Sequence, residues 1–263
     1  MDIAAPLLER RPQGMTQAEW RARIELAACY RIFDFFGWTE LIYNHITLRV
    51  PQAANDTNAE RCYLINPFGL NYNEVTARNL IKVRRDGSPV DPSPYPVNRA
   101  GFIIHSAIHA AREDAHCIMH THTSAGMAVA MKERGLRHDD FYGAILYGRV
   151  AYHDFEGISL RQGEQPRLVA SLGNKDILIL RNHGLLAVER DVPAALRLMW
   201  HLQRACEVQT LADAIEGPDR ELSDEVRRQC AADAANFEPR GQLERLLMAS
   251  ILRRAGISLD ALA

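Results

Sequence analysis

The chain has 263 residues, of which 47% are hydrophobic and 24% charged, enough apolar material for one sizeable core and too much for a disordered chain. A net charge of −2, a pI near 6.6 and the absence of a long basic block give no footprint for a phosphate backbone, so no nucleic-acid partner is expected. No stretch approaches the roughly 20 apolar residues that span a bilayer, and the N-terminus lacks an apolar run of signal-peptide length, so a cytoplasmic protein without membrane contact is expected.

Residues 1–15 hold two prolines, a glycine and a charge cluster, and read as an N-terminal arm; residues 16–263 read as one domain with a helical C-terminal extension. Thr16 with Glu19 three positions on forms a capping box, followed by Trp20, Ile24, Ala28, Ile32 and Phe35 at helical spacing and a stop at Gly37. Residues 46–50 alternate as a strand, 51–60 form a polar loop, and 61–65 form a second strand entering the turn Asn66-Pro67-Phe68-Gly69. Asp86-Gly87 signals a hairpin. After a proline-rich connection, Phe102, Ile103, Ala107, Ile108 and Ala111 make a helical stripe.

The short apolar run 115–119 predicts a buried strand that delivers His120 and His122 at its C-terminal end. Residues 124–133 read as helix, 150–155 as extended, and 175–180 as another buried strand that leads to His183. Asp191 with Pro193 just inside starts a long helix to about Ala214, and the tail is helical and charged.

Chemistry concentrates in His120-Thr121-His122 and in Arg181-Asn182-His183-Gly184. Imidazoles at i and i+2 of an extended segment share one face, so one metal ion can take both, and a third from a distant turn can close the site. Both histidine groups follow short apolar strands, and neighbouring strands in one sheet would bring their ends together. Five scattered cysteines, Cys29, Cys62, Cys117, Cys206 and Cys230, contain no C-x-x-C pair and indicate neither a disulfide framework nor a thiolate zinc site. His105 and His109 are one helical turn apart without an H-E-x-x-H pattern, and with His201 they read as packing groups. Asn182 reads equally as an orienter of His183 or as a turn residue.

The strings GWTELIYNHIT (37–47), NPFGLNYNEVTARNLIKV (66–83), GFIIHSAIHAAREDAHCIMHTHTSAG (101–126) and ILILRNHGLLAV (177–188) resemble, in order and spacing, the class II aldolase/adducin family. The resemblance runs over about residues 17–215. It implies a three-layer α/β/α domain with a mixed, largely antiparallel central sheet, commonly a homotetramer with active sites between subunits. It also implies a divalent metal, Zn²⁺ first with Fe²⁺ or Mn²⁺ as alternatives, on His120, His122 and His183.

In the sugar-phosphate aldolases of the family the metal stabilises an enediolate and a glutamate handles the proton. That glutamate falls here on Gly101, and the phosphate-gripping serines before it on Arg99 and Ala100. The phosphate loop becomes Phe68-Gly69, and Asn44 is kept behind Tyr43. A general base contributes about 10²- to 10⁴-fold, so the sugar-phosphate activity is not carried over. The segment Asn98-Arg99-Ala100-Gly101-Phe102 is closer to the adducin-like branch.

These residues predict a metal-dependent lyase acting on a small anionic hydroxy-carbonyl or hydroxy acid, with Asn44, Gly69 and Arg99 on the substrate. Tyr142 and Tyr147 are candidate general acids that would act across a subunit boundary. An iron-dependent oxygenase or decarboxylase and a non-catalytic adducin-like assembly module are the alternatives.

Overall fold

Among the described residues, seven short strands form one sheet: β1 (His45–Arg49), β2 (Tyr63–Ile65), β3 (Ile81–Val83), β4 (Cys117–Thr121), β5 (Val150–His153), β6 (Ile177–Leu180) and β7 (Gly184–Glu189). Their order is β3-β2-β1-β4-β7-β6-β5, and every neighbouring pair is antiparallel except β5 with β6. The computed structural model describes residues 2–52, 60–158, 162–237 and 241–263, without the side chains of residues 99, 100 and 162. Most of the expected 51–60 loop therefore lies outside the described residues.

Helices cover both faces, which is why the central strands are apolar on both sides. They are α1 (Gln17–Phe36), α2 (Arg99–Ala111), α3 (Ser124–Ala130), α4 (Phe141–Ile145), α5 (Gln165–Leu172), α6 (Val192–Asp213), α7 (Asp224–Asn236) and α8 (Gln242–Ala255). Cys117, Met119, Leu185 and Ala187 pack with Ile24 and Ala28 of α1 and Leu198 and Leu202 of α6. Their strand neighbours Ile118, Leu186 and Val188 point the other way, onto Ile104 and Ile108 of α2 and Leu168 and Leu172 of α5. The result is the expected three-layer α/β/α arrangement around a mixed sheet. No helix among the described residues is long and apolar enough to cross a membrane.

The terminal signals of α1 and α6 read correctly. Thr16 accepts the Glu19 N–H at 3.1 Å and Gly37 closes α1 in the left-handed region at φ 69°. The Glu19 carboxylate does not complete the box; it pairs with Arg23 Nε at 3.0 Å and Lys82 Nζ at 2.9 Å. Asp191 accepts the Ala194 N–H at 2.9 Å at the head of α6. The N-terminal segment is anchored: Leu7 is buried, and Trp20 Nε1–H donates to its carbonyl at 2.9 Å.

One expectation is corrected. The strand leading to His183, β6, is not the neighbour of β4; β7 lies between them, pairing with β4 on one side and β6 on the other. His183 therefore reaches the site from the β6–β7 turn. Strand ends also shift, because β4 follows its ladders with β1 and β7 and takes in His120 and Thr121.

Candidate metal centre

The register sets the site. His45 pairs with His120 across β1 and β4, and Thr121 pairs with Leu185 across β4 and β7. The start of β1, the end of β4 and the start of β7 thus lie at one end of the sheet. Alternation along β4 sends Ile118 and His120 to the α2 face, and His122, just past the strand, follows them.

There His120, His122 and His183 each offer a ring nitrogen, and these atoms lie within 4.8 Å of one another. His120 is buried and the other two are half-buried. The Leu185 carbonyl lies 2.9 Å from His120 Nδ1 and can only accept, so that nitrogen carries the proton and the Nε2 lone pair is free. His120 Nε2 stands 2.7 Å from His122 Nε2, at hydrogen-bond distance. A backbone carbonyl fixing the tautomer of a metal-ligating imidazole is the usual supporting arrangement.

Burial disfavours the charged form of all three rings, and the neighbouring imidazoles add to it for His120 and His183. His120 is held well below its ordinary value and His183 is pushed down to about 4. At neutral pH the set is three uncharged nitrogen donors, which suits a borderline-soft divalent ion with open coordination positions.

Two backbone features bring the rings together. Asn182 occupies the left-handed region at φ 57°, and the His183 N–H donates to Leu180 O at 3.1 Å, closing the β6–β7 turn. Asn182 thus serves as a turn residue. Gly184 allows close approach: a Cβ there would stand 2.3 Å from the Thr121 carbonyl oxygen and 3.0 Å from His122 Cδ2.

Behind the site runs a buried hydrogen-bonded chain. Thr47 Oγ1 lies 2.8 Å from both His105 Nδ1 and His109 Nε2, and His109 Nδ1 lies 2.7 Å from the Ala115 carbonyl. Because that carbonyl only accepts, His109 donates from Nδ1, Thr47 donates to His109 Nε2, and His105 Nδ1–H donates to Thr47. A free lone pair is left on His105 Nε2, which is buried without a partner among the described residues. His105 and His109 are therefore supporting groups, as the sequence suggests.

His45 was not singled out by sequence reasoning, and it is central. It is 2% exposed, its ring centroid lies 4.2 Å from that of His105 and 5.5 Å from that of His120, and the backbone of Gly101 and Tyr43 stands against it. Burial, then His122, pushes it down to about 4. Asn44 beside it is 1% exposed with both amide atoms unpaired. The available signal was alternation: His45 and Thr47 are i and i+2 on the strand that pairs with the histidine strand.

The other expected residues divide. Gly69, in the left-handed region at φ 106°, closes the turn after β2, and the neighbouring Phe68 N–H donates to Pro96 O at 3.0 Å, tying this turn to the stretch that leads into α2. Arg99 is the first residue of α2, and its side chain lies outside the described residues. Tyr142 and Tyr147 are not brought to the histidines within one chain. Tyr142 packs on Trp200 of α6, on the opposite face, and Tyr147 packs on His138, each at 5.4 Å between centroids. Both precede β5, which starts on the rung of Met119 and runs toward the site end. His201 is half-buried on α6 near Tyr142, away from the metal ligands.

The family model described as "Class II Aldolase and Adducin N-terminal domain" matches residues 24–210. Alpha-adducin of Rattus norvegicus is 48% identical over 202 residues, covering 75% of this chain and 26% of that protein. A crystal structure of an aldolase II superfamily protein from Pseudomonas syringae superposes with a TM-score of 0.85 at 38% identity, over 95% of this chain and 98% of the other. The L-fuculose 1-phosphate aldolase from Glaciozyma antarctica PI12 superposes with a TM-score of 0.77 at 27% identity, over 96% and 97%. With the three-layer fold and the converging histidines, these matches show that the chain belongs to the class II aldolase and adducin family.

Proposed function

We propose that the chain is a divalent-metal-dependent lyase acting on a small anionic hydroxy-carbonyl or hydroxy-acid substrate. The observation that carries this reading is the convergence of three imidazoles, with the tautomer of His120 fixed by the Leu185 carbonyl and their close approach allowed by Gly184. An assembly module has no need of such a set. His120, His122 and His183 would hold the metal, with Zn²⁺ the first candidate and Fe²⁺ or Mn²⁺ compatible with the same donors. Bound there, the cation would supply Lewis-acid polarisation of a substrate oxygen.

The chain's own residues do the rest. The unpaired amide of Asn44 offers a donor and an acceptor at the site end of β1. Gly69 and Arg99, at the turn after β2 and the head of α2, are assigned to the anionic end of the substrate, with Arg99 suited to a bidentate grip. Tyr142 and Tyr147 are assigned as proton donors to the site of a neighbouring subunit in a homotetramer. Gly101 leaves no carboxylate at the third position of α2, so the proton-handling group differs from that of the sugar-phosphate aldolases.

Metal analysis by mass spectrometry on anaerobically purified protein tests the reading against a His120→Ala control. About one zinc or manganese per chain, lost in the variant, is the expected result and leads to screens for C–C cleavage. Iron would favour the oxygenase alternative. No metal after reconstitution would overturn the enzyme reading in favour of the non-catalytic module that the adducin similarity suggests.

A further inference from the structure

Helix α7 is short of packing. None of its residues is fully buried, although Val226, Cys230 and Ala234 make an apolar stripe at i, i+4 and i+8 along one face. It leans on α4 and is held there by polar bonds at its head, where Arg227 pairs with Asp139 at 2.6 Å and the Leu222 N–H donates to the same carboxylate at 3.0 Å. Between the stripe and the layer of α6 and α8 lies a cavity of about 780 Å³, on the face of the sheet opposite the three histidines. Its floor is apolar and buried, formed by Ile145 of α4, Leu196 of α6 and Met248 of α8, while Phe141 and Phe237 stand at its rim, 69% and 72% exposed. A polar cavity of about 370 Å³ adjoins it, and Ile145, Arg197, His201, Ala234 and Glu244 line both.

We propose that the space between α7 and the α6–α8 layer binds a carboxylate with an apolar chain, the chain in the larger cavity and the head at Arg197 and His201, and that this occupant supplies the packing α7 lacks.

Shape is the first argument. Small-molecule sites are concave spaces of roughly 300–1,000 Å³, mainly apolar, with a few polar groups that fix orientation. A chain laid in the larger cavity would cover the floor and the stripe of α7 together. Helices in proteins draw most of their stability from burying such a face, so the occupant and the helix stabilise each other.

Charge selects the head. On the wall common to the two cavities Glu244 is committed: it accepts from the Gly241 N–H at 3.0 Å and from Arg190 at 3.2 Å, and Arg197 Nη1 stands 3.4 Å away. Glu244 is the only partner of Arg197 among the described residues, so most of the five N–H donors of that guanidinium are unused. In the polar cavity Arg149 is committed to Asp176 at 2.8 Å and Glu189 at 3.1 Å. His201 makes ring contacts with Trp200 and Tyr142 and no hydrogen bond among the described residues, and Arg197 and Arg149 act on it as positive charges. At the rim Arg254 and Asp233 offset one another in charge. Spare donors and a positive field therefore coincide at Arg197 and His201, and a carboxylate is the head that a guanidinium grips through two parallel bonds. A hydroxyl brings no charge to that corner, and an ammonium is repelled from it.

The test uses the full chain, with decanoate as the probe and decanol and decylammonium as head-group controls, read by calorimetry and by amide hydrogen exchange. Decanoate is expected to bind saturably, at least tenfold more tightly than either control, and to slow exchange across residues 224–236. Ala234→Phe fills the space beneath α7 and is expected to weaken decanoate at least tenfold. Arg197→Gln is expected to weaken decanoate at least tenfold and decanol less than threefold. His120→Ala should bind decanoate as the wild type does, which separates this site from the histidines. No saturable binding, no protection of α7, unchanged affinity in Ala234→Phe or loss of affinity in His120→Ala would overturn the proposal. If neither cavity variant folds, the wild type decides: decanol binding as tightly as decanoate overturns it. Failure to take up decanoate, together with an oligomer that Leu247→Glu at the rim breaks, would overturn it in favour of a second copy of the chain.

Discussion

Gly184 shows how a residue without a side chain builds a site. Its hydrogen is all that fits beneath His122 and against the Thr121 carbonyl, and the nearest obstacle, at 2.3 Å, is backbone that cannot swing away. Gly184→Ala is expected to lose about 1–3 kcal/mol of stability through overpacking. The same substitution should weaken metal binding at least tenfold, because the imidazoles are forced apart. Urea unfolding together with zinc titration checks both, and normal zinc affinity in a folded variant would refute the account.

His109 carries the residue-scale pH prediction. It is buried and pushed down to about 3, by burial first, against the opposing hydrogen bond to Ala115. Unfolded, it titrates near 6.5, so between these values the unfolded state binds the extra proton and stability falls as pH falls from about 6.5 toward 3. His45 and His105 act in the same direction. In His109→Leu the slope of unfolding free energy against pH, measured on metal-free protein between pH 4.5 and 6, should decrease by up to about 1.4 kcal/mol per pH unit. An unchanged slope would show that His109 is charged in the folded state.

At the scale of elements, caps and periodicity were legible and pairing was not. Asp191 and Pro193 marked the start of α6, and Asp191→Ala should cost about 1 kcal/mol in chemical denaturation, since the Ala194 N–H loses its acceptor. Thr16 and Gly37 marked both ends of α1, because capping chemistry is local. The strand β7 was hidden in GLLAVE: its residues are apolar on both faces, and a run without alternation carries no strand signature of its own. Missing it misplaced the route to His183, although the three imidazoles still converge. The same limit hid His45, whose place beside His120 depends on the β1–β4 register, which spacing along the chain does not encode.

At the scale of the whole molecule, the candidate site exists only when the sheet exists. His120 belongs to β4, His122 follows it, and His183 sits in the turn between β6 and β7, of which β7 pairs with β4 over a long stretch of chain and β6 pairs with β7. In the unfolded chain the third imidazole is far away along the sequence, and a metal meets at most the nearby pair. A ligand that binds the folded state alone stabilises it by RT ln(1 + [L]/Kd), or about 2.7 kcal/mol at a hundredfold excess over Kd. For a chain of this size that corresponds to a rise in Tm of roughly 5–10 °C. The rise should therefore appear when metal-free protein is titrated with zinc, grow with the logarithm of its concentration, and vanish in His183→Ala. That variant keeps the pair on β4 and removes only the ligand that folding delivers. A shift that survives it would mean that His120 and His122 bind metal without the β6–β7 turn, and that the fold is not what completes the site.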